Sequence, residues 1–190
     1  MHPDLPTGWE YEVFQGNQLL GYSDIASVDP VAVGRGGFMA GRGARLPPAG
    51  WLGPWRSETP HTLDLLTAAG YRYTMDWPMD DQPVWMKTRK GRILSVPYPH
   101  EVNDIPMIAL HHGSADKFAE VILDNLEEML EQSKAQPLVF GVSIHAFLVG
   151  QPFRLKHFRK AMEGVRAASD RIWFATTGQI AEHYAKAVPA

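Results

Sequence analysis

His145 stands in the stretch FGVSIHAFLVGQPFR, at the end of an apolar run and just before Gly150 and Pro152 announce a helix. An imidazole titrates near neutral pH, so at a strand end it can work as a general acid or base; it can equally be a core histidine that satisfies backbone groups. Carboxylates gather in three other places: Glu58 in GWLGPWRSE, Asp76 with Asp80 and Asp81 in DWPMDD, and Glu101 and Asp104 beside His100 and Asn103 in PHEVND. Repulsion within a carboxylate pair raises one pKa and so holds a proton ready for transfer. Neighbours on an extended chain point apart, however, and DDQP also reads as a solvated, turn-forming pair. His111 and His112 would need a third ligand and the right geometry to hold a metal, and read better as a surface pair or the start of a helix. GRGGFMAGRG has the glycines of a phosphate cradle but lacks the Lys-Ser or Lys-Thr ending and the third glycine of GxGxxG, so it reads as loop. Trp51, Trp55, Trp77 and Trp85 fall near expected loops, where an indole can stack on a ring-shaped ligand or bury apolar area.

These residues need a scaffold, and its elements are visible from Trp51 onward. Pro60 suits a first helical turn after Thr59, Leu63, Leu66 and Ala69 share a face, and Gly70 supplies a stop. Strands are expected at Tyr71 to Met75 and Arg92 to Tyr98, joined by the long segment DWPMDDQPVWMKTRKG. SADKFAEVILDNLEEMLEQSK repeats apolar residues every three or four positions behind Ser114, with Glu127, Glu128 and Glu131 on its solvated side. The run from Pro137 to Ile144 reads as a strand covered on both faces, with His145 at its end. A helix from Pro152, a strand over Arg171 to Thr176 and a helix capped by Thr177 complete the order α, β, β, α, β, α, β, α. Such alternation predicts a largely parallel sheet or barrel with reactive groups at the carboxyl ends of its strands.

Composition narrows the function classes. A chain of 190 residues, 45% hydrophobic and 21% charged, suits one globular domain. A net charge of -3 gives no basic footprint for nucleic acid or anionic lipid. Cysteine is absent, so thiolate chemistry and cysteine metal sites are excluded. No apolar run reaches the ~20 residues needed to cross a bilayer, and MHPDLPTGWEYE lacks the basic start of a leader. A soluble, cytoplasmic protein is expected. Residues 1–48 are rich in Gly and Pro and are expected to form an irregular arm, leaving 49–190 as the α/β domain.

The ordered set GWLGPWRSETPHTLDLLTAAGYRY, DWPMDDQPVWM, VPYPHEVNDIP and SIHAFLVGQPFRL resembles the later half of the polysaccharide deacetylase (NodB homology) family, in its allantoinase-like branch. The resemblance implies a distorted (β/α)7 barrel, here partial, that hydrolyses carbon–nitrogen bonds in N-acetyl sugars or a small ureide ring. It also implies a histidine acid at His145, a groove wall at Gly50 to Glu58 and a substrate-side loop at Asp76 to Asp81. The expected catalytic set is His145, Asp76 and Glu58, converging on one pocket; the expected substrate contacts are Trp51, Pro54, Trp77, Asp80, Asp81 and Asn103. Family members hold a divalent metal, often zinc, through an Asp and two His of early motifs. No acidic pair at a strand end and no His-x-x-x-His precedes Trp51, His2 is the only histidine there, and Gly41 follows FMA where the family often has histidine. No metal ligand is therefore assigned, and an incomplete or metal-free hydrolase is expected; a non-catalytic binding protein on the same fold is the alternative. The eight-unit barrel needs about 250 residues, so two or three units are expected to be missing. The open sheet edge this leaves should favour a homo-oligomer.

Overall fold

The computed structural model describes residues 49–190. The arm expected over 1–48, and the loop reading of GRGGFMAGRG, lie outside the described residues. In chain order the elements are β1 (Gly50–Trp51), a 3-10 turn (Pro54–Arg56), α1 (Thr62–Ala68), β2 (Tyr73–Thr74), β3 (Val84–Thr88), β4 (Gly91–Ser95), a π-helix (Ile105–Leu110), α2 (Ala115–Gln132), α3 (Ala146–Val149), α4 (Pro152–Ala167) and α5 (Thr177–Ala187).

One mixed sheet, ordered β1-β2-β4-β3, carries the first half of this domain. β1, β2 and β4 run parallel, and β3 pairs antiparallel with β4 from Val84 opposite Ser95 to Thr88 opposite Gly91. Gly50 is dictated by packing, because a Cβ there would lie 2.0 Å from the Tyr73 ring that crosses β1. Ile93, Tyr71 and Leu66 of α1 form a cluster on the sheet, and α5 packs Ala181, Ile180 and Tyr184 against Tyr73, Met75, Leu94 and Val96. Gly70, at φ 88°, makes the left-handed turn that releases the chain from α1 toward β2.

The second half is built on α2 and α4. Phe118, Ile122 and Leu126 of α2 meet Phe158, Ala161 and Val165 of α4 in the largest apolar cluster, each large side chain contributing about 1.5–3 kcal/mol on burial. Gly164 lets the helices close, since a Cβ there would lie 2.5 Å from Leu123 Cδ2. Glu127, Glu128 and Glu131 are exposed, as the apolar period requires. α5 is closed by a capping box in which Thr176 Oγ1 accepts from the Gln179 N–H (3.2 Å) and Gln179 Oε1 accepts from the Thr176 N–H (2.7 Å). The cap thus falls on Thr176, one residue before the expected Thr177.

Three expectations need correction. The connection Asp76 to Gly91 contains a strand, β3, which turns into β4 through Arg89 and Lys90 with Gly91 at φ 130°. The runs Pro137 to Ile144 and Arg171 to Thr176 form no strand among the described residues; the first makes a single parallel bridge, Asn103 with Ser143. A ladder needs a partner for each edge, and an apolar run alone supplies none. His145 accordingly ends a bridge and caps α3, whose Leu148 and Val149 amides donate to the His145 carbonyl.

Candidate functional site

The bridge between Asn103 and Ser143 brings two candidate residues together at its carboxyl end. Ser143 N–H donates to the Val102 carbonyl (2.9 Å) and Asp104 N–H to the Ser143 carbonyl (3.1 Å), so the next residues on the two chains meet. Asp104 Oδ2 accepts from the His145 backbone N–H at 2.7 Å, and Asp104 Oδ1 lies 2.6 Å from His145 Nδ1. The Asp104 side chain is wholly buried, while that of His145 keeps 11% exposure. A carboxylate acceptor at Nδ1 fixes the N–H on that nitrogen and leaves Nε2 free to exchange a proton with a ligand. The exposed Phe147 ring stands edge-on to the imidazole, 5.6 Å away.

A different constellation forms where β1 and β2 end side by side. Asp76 follows β2 and is buried; its Oδ1 accepts from the Gly53 N–H, just beyond β1, at 2.7 Å. Glu58 Oε2 accepts from the Trp77 indole at 2.9 Å. The Glu58 carboxyl adjoins Asp76. Asp76 Oδ2, Glu58 Oε1 and Trp51 Nε1 are buried with no hydrogen-bond partner among the described residues. Two carboxylate oxygens cannot bond each other, but a carboxyl and a carboxylate can. Burial, reinforced by the hydrogen bond and charge of Glu58 and opposed by the Gly53 amide and the Trp51 indole, pushes the Asp76 carboxyl up to about 7. Asp76 is thus a group that gains or loses a proton near neutrality.

Arg56 and Tyr98 link the two constellations. Trp55 and Arg56 both adopt left-handed backbone (φ 56° and 53°), an arrangement that costs non-glycine residues of order 1–3 kcal/mol each. The turn throws Trp55 into solvent, 87% exposed, and carries Arg56 inward. Arg56 Nη2 bonds His100 Nδ1 at 2.7 Å, and its guanidinium lies 5.2 Å from the centre of the Tyr98 ring. The Tyr98 hydroxyl is 2.8 Å from Ser143 Oγ, two residues before His145.

The remaining expected site residues divide. Trp51 packs edge-on against Tyr71 at 5.8 Å, Trp77 is partly exposed, and Pro54 is exposed at the start of the 3-10 turn. Asn103 is buried and its Oδ1 accepts from the Ile105 N–H at 3.0 Å, which turns the chain into the π-helix. Asp80 and Asp81 are exposed, with Asp81 N–H donating to Asp80 Oδ1 at 2.7 Å in a local turn. They line a cavity of about 470 Å³ with Met79, Tyr98, His100 and Glu101. Burial first, then the charges of Asp80 and Glu101, hold the Asp81 carboxyl above its ordinary value. His145, Asp76 and Glu58 do not line this cavity. The sequence points to Asp104 only as one acid of PHEVND; its place just after the paired Asn103 emerges from the structure. His111 and His112 lie exposed beyond the π-helix.

Among the described residues no group of three or more His, Asp or Glu is arranged to hold a metal ion. No helix among the described residues is long and apolar enough to cross a membrane.

No family model and no curated protein matches the chain. Solved structures do. The crystal structure of Puue allantoinase is similar at TM-score 0.68 and 26% identity, over 76% of this chain and 48% of the other. A polysaccharide-deacetylase-type protein from Pseudomonas aeruginosa PAO1 gives TM-score 0.67 at 25% identity, again over 76% and 48%. The chain carries a polysaccharide deacetylase-like fold. A third structure, of a polysaccharide-deacetylase-type protein from Mycobacterium smegmatis, shares that fold at TM-score 0.59 and 22% identity, over 87% of this chain and 56% of the other. The chain spans about half the length of these structures, so its open four-stranded sheet and helices form part of a deacetylase-like barrel.

Proposed function

We propose that this chain contributes the proton-handling half of a hydrolase that cleaves carbon–nitrogen bonds in non-peptide amides, such as N-acetyl groups or ureides. The observation that carries this reading is the Asp104–His145 pair: a buried carboxylate engages Nδ1 of an imidazole within the SIHAF motif, and that side chain keeps 11% exposure. In the reaction, water adds to the carbonyl carbon, the C–N bond breaks, and His145, which must enter the step carrying a proton on Nε2 as well as on Nδ1, passes the Nε2 proton to the departing nitrogen. The Glu58–Asp76 pair takes the proton of the attacking water. Asp104 touches no substrate; it sets the tautomer and orientation of His145.

The similarity to an allantoinase and to deacetylase-type proteins supports this reading, which takes Trp77, Asp80 and Asp81 as its substrate-side contacts. Because the chain spans half the length of those structures, activity is expected when the missing barrel units are supplied by further polypeptide. Runs such as 137–144, whose ladders are unformed, support association through the sheet edge, a second copy of the chain included.

The test is hydrolysis of N-acetylated sugar oligomers and of a cyclic ureide, with and without added divalent metal, by the chain alone and mixed with the complementary half of a deacetylase-type barrel. His145→Ala is expected to lower turnover by about 10²–10⁴-fold, and Asp104→Asn to shift its pH profile. Equal activity of parent and His145→Ala removes His145 from the mechanism. A specific observation favours a binding protein instead: the cavity at Asp80, Asp81 and His100 excludes His145. Saturable binding of the same compounds, lost in Asp81→Ala and indifferent to His145→Ala, would establish that reading.

A further inference from the structure

We propose that Asp76 and Glu58 form a proton-operated latch on the loop 53–58: one proton shared between the carboxyls holds the loop to the end of β2, and its loss releases the loop. The inference goes beyond the hydrolytic reading and does not depend on it.

The geometry has three parts. The loop is tied at each end to one of two consecutive residues, through Gly53 N–H to Asp76 Oδ1 and through Trp77 Nε1–H to Glu58 Oε2. With those outer oxygens occupied, the inner oxygens Asp76 Oδ2 and Glu58 Oε1 are left buried without a partner among the described residues. One proton bridges the two; without it two carboxylates are left in contact, with only the Gly53 amide and the Trp51 indole opposing the charge on the buried Asp76. The groups that act on Asp76 are the Gly53 amide, the Glu58 carboxyl and the Trp51 indole. The nearby guanidinium of Arg56 is directed to His100 and the Tyr98 ring. Relief therefore comes from moving the loop toward water. The left-handed pair Trp55 and Arg56 stores strain in the same loop, which favours release.

Opening has a consequence for binding. Trp51 Nε1, Arg56 Nη1, Glu58 Oε1 and Asp76 Oδ2 are all covered in the closed loop. Release separates Arg56 Nη1 and Glu58 Oε1 of the loop from Trp51 Nε1 and Asp76 Oδ2, leaving one donor and one acceptor on each side of the opening, suited to a ligand that carries both an N–H and a carbonyl. Asp76 titrates at about 7, which puts the switch in the neutral range.

Hydrogen exchange on the full chain, corrected for intrinsic rates and followed from about pH 6 to 8.5, tests the latch. Protection of the Gly53 and Ser57 amides is expected to fall by about tenfold per pH unit once the shared proton is lost, while amides of α2 stay constant. Asp76→Asn keeps the acceptor for Gly53 and offers Glu58 a permanent donor, so its profile is expected to be flat; Glu58→Gln should be flat for the same reason. Constant protection in the parent overturns the proposal, and so does a slope in Asp76→Asn equal to the parent's. Should Asp76→Asn fail to fold, the parent and Glu58→Gln profiles decide by the same criteria.

Discussion

Asp104 and Asp76 are both buried aspartates just past parallel-paired segments, yet they meet opposite partners. Asp104 accepts two hydrogen bonds from one residue, His145, so each oxygen has a donor. Asp76 accepts one, from the Gly53 amide, and turns its other oxygen toward a second carboxyl. A carboxylate whose oxygens both meet donors orients an imidazole; a carboxyl set against another acid holds a proton it can give up. The two sites thus divide positioning from proton storage, and the division depends on partner chemistry.

The comparison would break first at Asp104. Asp104→Ala leaves the His145 backbone N–H and Nδ1–H without an acceptor in a buried place, and is expected to cost about 3–5 kcal/mol. Urea denaturation of parent and variant measures it, and a loss no larger than that of Asp76→Ala would mean that matching is not what separates the sites.

The pH dependence of Asp76 comes next. Its folded value, about 7, lies above the ordinary 3.8, so between those values the folded chain keeps a proton that the unfolded chain has released. The stabilisation is complete below 3.8, falls as pH rises, and is gone above about 7. A gap of this size corresponds to something on the order of 4 kcal/mol. Asp76→Asn removes the ionisation while preserving the Gly53 bond. It is expected to match the parent near pH 4 and to exceed it by a few kcal/mol near pH 8, read from denaturation midpoints at the two pH values. A parent whose stability is level across that window would contradict the proton-storing role.

The sequence was most legible where one residue's chemistry is local. Apolar spacing located α2 and α4, Gly70 marked the end of α1, and the motif residues Trp51, Glu58, Asp76 and Trp77 do come together at the ends of β1 and β2. Legibility failed where structure is a relation between distant segments. The Asp104–His145 pair joins residues 41 positions apart, and nothing in PHEVND says which of its acids will meet the imidazole. The apolar run Pro137 to Ile144 has a strand's composition, but its ladder depends on neighbours that the described residues do not provide. β3 was hidden by the prolines and aspartates around it, although Lys90-Gly91 between VWMKT and RILSV was a usable hairpin signal.

The smallest effect probes the link between the sites. Tyr98 lies under the Arg56 guanidinium on one side and bonds Ser143 Oγ on the other. Tyr98→Phe keeps the ring, and with it the Arg56 contact, but deletes the hydroxyl; it is expected to cost about 1 kcal/mol. Its value lies in which site responds. Because Ser143 is bonded to Val102 and Asp104 through its backbone, the variant should alter the NMR titration of His145 and leave the pH dependence of Gly53 exchange unchanged. Arg56→Ala should do the reverse, since it removes the inward residue of the loop while the Tyr98 hydroxyl remains. If each substitution disturbed both readouts equally, the two aspartates would belong to one coupled network, and the contrast between a positioning acid and a proton-storing acid would have to be replaced by a single shared titration.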